Sequence, residues 1–391
     1  MMELRDFASC LERQERYAAG RSAVAGELLV ALRRDLERAP GAWFPRLEAA
    51  WAGRRFGPYY EAPLLLLAAL QREALAGRAP DLAARLPSCG SSKPGAGRAA
   101  VELLAGAPVS FFEALAGRRL QTNEPGRAVG WLLPAAVAFL TRGTPFHLVD
   151  LGASAGLTLI GDYLPRECSL LAADGTPAGE PERLRDCPFP VLSRAGLDAR
   201  PRRLAEPEDR LWLKACIWPD HAERHARFDR AAELFLKLEK DQNGPRLHEA
   251  DFSAMPDWIA GRLRPHPDEG LLAFNAQATD FLDAAAYGRL AEGLARVLEP
   301  WGDRALWVEL ELPRGGGERH ELRVRRWIGG RFESRVLAET SAHPRELRLR
   351  PGWDFLRPLA PPSPPRNTRE EPARVLPPGT YRFPGMEANR D

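Results

Sequence analysis

From residue 146 onward this chain alternates short apolar runs, several ending in an acid or an amide, with helical stretches, whereas the first 118 residues carry helical spacing and no strand pattern. Such alternation commits a chain to a mainly parallel sheet with helices on both faces. Strands are expected at 146–151, 168–173, 189–197, 246–250, 270–275 and 304–312, and helices at 220–240 and 284–298. Residues 320–328 and 331–340, joined at Gly329-Gly330, read as a hairpin that adds antiparallel strands to one edge.

Upstream, apolar residues recur with helical spacing at 22–32, 62–75 and 101–115, broken by short Gly/Pro segments. The expected organisation is an N-terminal helical cap region over 1–120, a Rossmann-like α/β domain over 121–350, and a Pro-rich tail over 359–391. The 391 residues carry 55 basic and 53 acidic side chains. That balance gives no support for a nucleic-acid groove or a membrane-surface patch. Five scattered Cys without a CxxC read as reduced thiols, and no apolar run approaches the ~20 residues of a membrane span. A cytoplasmic protein without a signal peptide is expected, with no nucleic-acid or membrane partner; its oligomeric state is not legible.

Residues 147–157, HLVDLGASAGL, admit two chemistries. Gly152-Ala-Ser154-Ala-Gly156 fits the G-x-S-x-G nucleophile elbow of serine hydrolases. It also fits a cofactor loop, in which Asp150 ends a buried strand and Gly152 and Gly156 allow a ligand close to the backbone and to a helix N-terminus. The hydrolase fold places several strands before its nucleophile, and none is expected here before residue 146. Three small residues replace the inner glycine of G-x-G-x-x-G, so a pyrophosphate is poorly served, and an acid-then-glycine loop suits S-adenosylmethionine. A second acid, for a ribose, is expected at the end of the next strand: Asp174 or Asp198. Asp251 ends the third strand, where an adenine would lie. Gln121-Thr-Asn123-Glu124-Pro-Gly-Arg127 starts a helix that runs back to the first strand, which brings Asn123, Glu124 and Arg127 beside the loop. The bland alternative for each is a cap or a loop acid.

The motifs Gln121-Thr122-Asn123-Glu124-x-Gly126-Arg127, Val149–Leu157, Arg194-x-Gly196-Leu197-Asp198 and Ile217-Trp218-Pro219-Asp220, in that order, resemble the bacterial family catalogued as domain of unknown function 2332. That family is similar to class I S-adenosylmethionine-dependent methyltransferases, a fold of seven strands whose last two form an antiparallel hairpin. The resemblance favours Asp198 over Asp174 as the ribose acid. It implies S-adenosylmethionine as cofactor and brings no substrate; a small-molecule substrate is the expectation adopted beside it.

His221 and His225 share a helix face at zinc-binding spacing, but the H-E-x-x-H glutamate is absent, and Asp220 with Glu223 reads as a capping box. No metal site is expected. Trp218, Asn275 and Arg127 are candidates for substrate contact; Glu309 and Glu311, on the fifth strand pattern, are either acids facing the ligand end or plain strand-edge acids. No catalytic residue is assigned. The leading expectation is a methyltransferase; the others are a non-catalytic cofactor-binding or interaction protein on the same fold, and a serine hydrolase using Ser154.

Overall fold

The computed structural model describes residues 4–38, 43–165, 167–178 and 189–357. Nine strands form one sheet among these residues: β1 (Phe146–Leu151), β2 (Ser169–Leu171), β3 (Val191–Asp198), β4 (Arg246–Glu249), β5 (Gly270–Ala276), β6 (Ala305–Glu311), β7 (His320–Ile328), β8 (Arg331–Thr340) and β9 (Glu346–Leu349), in the order β2-β9-β8-β7-β6-β5-β1-β3-β4. The run β6-β5-β1-β3-β4 is parallel throughout. β7, β8 and β9 follow as an antiparallel meander, and β2 joins β9 in parallel. The two kinds of strand differ in burial as their surroundings require. Every residue of β6 is buried, while β7 alternates buried and part-exposed positions with period two.

Two apolar layers sandwich the sheet. On one face Trp131, Leu132 and Leu133 of the helix Val129–Arg142 pack against Leu148, Phe274 and Val308. On the other, Leu290, Leu294 and Leu298 of the helix Ala284–Leu298 pack against Val149, Leu271 and Trp307. On one side of β1 the chain runs outward from β3 to β4, whereas on the other side it runs outward from β5 to β6. Connections that diverge in this way open a crevice at the carboxyl ends of β1 and β5, where open α/β sheets take ligands.

The N-terminal helices bury a core of their own, built from Leu28, Leu32, Trp43, Leu66 and Phe112 among others, with Trp212 and Cys216 from the helix Pro207–Ala215 and the residue after it completing it. The two parts are tied together. Gln71 donates to the Ile217 carbonyl at 2.7 Å, and Ser22 Oγ donates to Asp220.

Four local expectations change. The helix expected at 101–115 is two, Ala96–Gly106 and Val109–Ala116, because Pro108 interrupts it. The glycine loop leads not into an α-helix but into the 3-10 segment Leu157–Tyr163. Asp220 does not cap its own helix, Ala222–Leu238; it accepts Ser22 Oγ–H and the Val24 N–H (3.3 Å) at the start of Ala23–Arg38. The sheet has nine strands rather than seven, because β9 pairs with β8 and offers its outer edge to β2. The tail expected at 359–391, and Cys187, lie outside the described residues.

Gly97 shows how closely the N-terminal helices pack: a Cβ there would lie 2.6 Å from Ala31 Cβ and 2.9 Å from the Glu27 carbonyl oxygen. Gly97→Leu is therefore expected to destabilise the chain by roughly 1–3 kcal/mol, read as a lower urea midpoint with an unchanged m-value. An unchanged midpoint would mean that the two helices separate freely.

Candidate ligand-binding site

β1 carries Asp150 to the carboxyl end of the sheet, where it is 3% exposed. Thr158 Oγ1 donates to its Oδ2. Burial is the largest influence on this carboxyl and raises its pKa to about 7, against the opposing Thr158 hydrogen bond. The chain then turns through Gly152, Ser154 and Gly156, all with positive φ (82°, 53° and 74°). Only Ser154 in that series bears a Cβ, and for it the left-handed conformation costs on the order of 1–2 kcal/mol.

What holds this turn is legible in the hydrogen bonds. Ser154 N–H donates to Asp198 Oδ2 at 2.9 Å, and Arg200 N–H donates to Asp198 Oδ1 at 2.8 Å. Asn123 clamps the far side: its Nδ2 donates to the Ala153 carbonyl at 2.8 Å, and its Oδ1 accepts the Leu157 N–H at 2.9 Å. Gly196 of β3 lets the loop settle, since a Cβ there would lie 2.8 Å from Ala153 Cβ. Arg194, two residues earlier, donates to the Leu159 carbonyl and pairs with Asp162.

Above the loop is a cavity of ≈ 440 Å³. Gly152, Ser154, Asp198, Arg200, Phe252, Gln277, Ala278 and Phe281 line it from the sheet domain, and Tyr60, Glu61 and Leu120 line it from the helical region. Its size is that of a small-molecule site. A second hollow, ≈ 50 Å³ beside Leu132, Leu164 and Arg227, has room for a few waters only.

Of the residues singled out in the sequence, Gly152, Ser154, Asp198 and Arg127 line the cavity, with Asp150 beneath the loop and Gly156 and Asn123 supporting it. The others lie elsewhere. Glu124 is buried in a charge cluster, accepting from Arg224 Nε at 2.6 Å and from an Arg227 guanidinium N–H at 2.9 Å. Its oxygens are taken, and despite burial, which pushes the other way, these arginines hold its pKa below the usual range. Asp251 is exposed and accepts the backbone N–H groups of Ser253 (2.8 Å) and Ala254 (3.3 Å). Asn275 is fully buried between Glu311 and Trp307. Trp218 packs on Tyr17 of the helical region and on His221, at the start of the helix Ala222–Leu238. His221 and His225 each place Nε2 on a backbone carbonyl. Asp174 is exposed in a turn after β2, which lies at the far edge of the sheet from β1.

Phe252, Gln277 and Tyr60 are among the cavity residues that escaped sequence reasoning. Phe252 follows directly on Asp251, and an aromatic just past a strand-ending acid was the available signal. Gln277, with φ of 51°, follows Asn275 by two residues. Tyr60 belongs to a helical segment whose meeting with the sheet no local pattern announces.

The site is thus that of an open α/β protein with a ligand crevice at the carboxyl ends of its parallel strands. The chain belongs to the family described as "Uncharacterized protein conserved in bacteria (DUF2332)", whose model matches residues 8–348. No curated protein matches it. Among solved structures, that of the sugar N-methyltransferase KedS8 from Streptoalloteichus sp. ATCC 53650 is similar at 16% identity over 62% of this chain and 75% of that one, with a TM-score of 0.21. At that score the likeness carries no argument.

The raised pKa of Asp150 has a consequence for stability. The folded value, about 7, lies above the unfolded carboxyl value of roughly 3.9, so the folded chain binds the extra proton between them and stability falls as pH rises through that window. Asp150→Asn is expected to match the wild type near pH 4 and to exceed it at pH 8, by on the order of 4 kcal/mol, in urea denaturation. A variant that is less stable at pH 8 would show that the ionised carboxylate is stabilising in place.

Proposed function

We propose that this chain is an S-adenosylmethionine-dependent methyltransferase acting on a small molecule. The observation that carries the reading is Asp198, which ends the strand next to β1, lines the cavity and holds the loop after β1 in one conformation. Each of its oxygens accepts one backbone N–H and keeps a second lone-pair site. That suits the paired hydroxyls of a ribose.

The other donors fit the same group. The Phe252 ring offers a face for a purine. Ser154 Oγ, buried and without a hydrogen-bond partner, stands on the loop at the cavity wall. Bound there, the cofactor would supply an activated methyl group. The chain's part is to hold the acceptor in line and exclude water. The helical region, through Tyr60 and Leu120, shapes substrate choice.

The hydrolase reading has less support. A serine nucleophile needs a base within hydrogen-bonding reach, and among the described residues Ser154 Oγ has no such partner.

The test is calorimetric titration of the full chain with S-adenosylmethionine and S-adenosylhomocysteine. Binding is expected in the wild type, to be weakened at least about tenfold (~1.4 kcal/mol) in Asp198→Ala, and to weaken by less than that in Ser154→Ala, which loses one hydroxyl. No binding at millimolar ligand overturns the proposal. Esterase turnover that disappears in Ser154→Ala would replace it with hydrolysis.

A further inference from the structure

The charged residues lining the cavity are Arg119, Arg127, Arg200 and Arg202 against Glu61 and Asp198. Most of them are already engaged within the chain. Glu61 pairs with Arg54 at 3.2 Å and accepts the Gly57 N–H at 2.8 Å. Arg202 pairs with Asp209 at 3.1 Å. Arg127 donates to the Thr122 and Ala342 carbonyls and to Gln277, in the field of Glu124 and Glu311. Asp198 holds two backbone N–H groups. Arg119 and Arg200 differ from these. Both are exposed where they line the cavity, and among the described residues neither side chain makes an ion pair, a hydrogen bond or a ring contact.

The fold brings these two arginines to one side of the cavity. Gln121, two residues after Arg119, donates from Nε2 to the Arg200 carbonyl at 3.3 Å and accepts from Arg202 Nε. Trp212 Nε1 donates to the Arg119 carbonyl at 3.0 Å. The segments 119–122 and 198–202 therefore run alongside each other, their backbones tied down while the Arg119 and Arg200 side chains stay free.

The neutral polar groups of the wall add donors rather than acceptors. Tyr60 Oη makes no hydrogen bond among the described residues. Burial, and after it Asp280, raises its pKa, so it keeps a proton to donate. Gln277 Oε1 is taken by Arg127, which can only donate; Gln277 Nε2 donates to His320 Nε2 and keeps a second N–H. The oxygens of Glu61, Gln121 and Gln277 are all occupied by donors of the chain. The remaining wall is largely apolar, with Leu120, Phe281 and Leu282, and Phe281 is 43% exposed.

A wall with two unpaired guanidinium groups and a surplus of donors calls for a ligand rich in acceptors and negatively charged. We propose that the substrate carries an oxyanion, a carboxylate or a phosphate, on an apolar body: Arg119 and Arg200 bind the oxyanion, and Leu120 and Phe281 cover the body. The guanidinium donates in a planar fork that fits either anion. An alcohol would accept a hydrogen bond but leave both charges unmatched, and an amine would be repelled. The inference rests on the proposed function only in calling this ligand the substrate.

The experiment is calorimetry of the full chain with benzoate, phenyl phosphate, benzyl alcohol and benzylamine, with and without saturating S-adenosylhomocysteine. At least one of the two anions is expected to bind about fivefold or more tighter than benzyl alcohol at about 0.01 M salt, and the preference to shrink at about 0.15 M, because exposed charges are screened. The tighter anion identifies the group. Arg119→Gln and Arg200→Gln should each reduce the preference and the double variant abolish it, while Arg98→Gln, at an exposed arginine of the helix Ala96–Gly106, leaves it intact. Phe281→Ala should weaken anion and alcohol alike, which places the ring in the cavity. Equal binding of anions and alcohol, preference for benzylamine, a preference that survives the double variant, or one that falls as far in Arg98→Gln overturns the proposal. The double variant should also bind S-adenosylhomocysteine as the wild type does. If it loses affinity for that ligand but not for 5′-methylthioadenosine, which lacks the amino-acid end, the oxyanion recognised is the cofactor's own and the proposal fails. Failure of the wild type to bind S-adenosylhomocysteine counts against the methyltransferase reading alone; the comparison of anions with alcohol made without it still decides this one.

Discussion

The close seating of the loop 152–156 on β3 is the contact on which the rest of the site depends. It is possible because Gly196 has no side chain: a Cβ there would lie 2.6 Å from Leu247 Cδ2 and 2.8 Å from Ala153 Cβ. With the loop that close, Asp198, two residues along the same strand, reaches Ser154 N–H at 2.9 Å. Arg194, two residues the other way, reaches the Leu159 carbonyl at 2.6 Å. One strand therefore fixes both ends of the turn. The positive φ of Ser154 is compensated by a hydrogen bond to a carboxylate, the stronger kind. The motif Arg194-x-Gly196-Leu197-Asp198 is thus one mechanical unit: grip, clearance and anchor.

The helical region supplies the other half of the cavity, and its wall is held as firmly. Glu61 accepts the Gly57 N–H at 2.8 Å and pairs with Arg54 at 3.2 Å, which fixes the turn that presents Tyr60. Arg54 in turn donates to the Arg118 carbonyl at 2.6 Å, next to Arg119 and Leu120 of the cavity lining. The bonds from Gln71 and Ser22 to the segment 217–220 then tie this wall to the chain just ahead of His221, the N-cap of the helix Ala222–Leu238. Neither half alone encloses a ligand.

The parallel sheet, the hairpin and the loop were legible because each rests on local chemistry: apolar runs of strand length, Gly329-Gly330 at a tight turn, and glycines flanking Ser154. Partner choice was not. The 168–173 pattern yields β2, but this strand pairs with β9 at the far edge, so spacing from the glycine loop pointed to Asp174, which lies nowhere near it. β9 itself is four residues, and although Pro351-Gly352 marks a turn just after it, its pairing with the edge of β8 is not a local signal. The same limit applies to Glu124. Its position at the start of a helix was readable, and its side chain does accept the Gly126 N–H. The arginines that claim it come from residues 224 and 227, a hundred positions on.

Glu124, Asp150 and Glu311 are all buried, yet their environments differ, and the difference separates structure from site. Glu124 has two arginines against it, and its pKa is lowered although burial pulls upward. Asp150 has a hydroxyl donor and no ion pair, and its pKa is raised. Glu311 has three donors on one oxygen and none on the other, and it too is raised. Burial is common to all three, so depth does not decide the outcome; the supply of a cation does. The chain is rich in arginine and places it against Glu124, and it holds Arg127 within the field of Glu311 while turning its N–H groups to carbonyl and amide oxygens. An internal cation is therefore near the Glu311 carboxyl without donating to it.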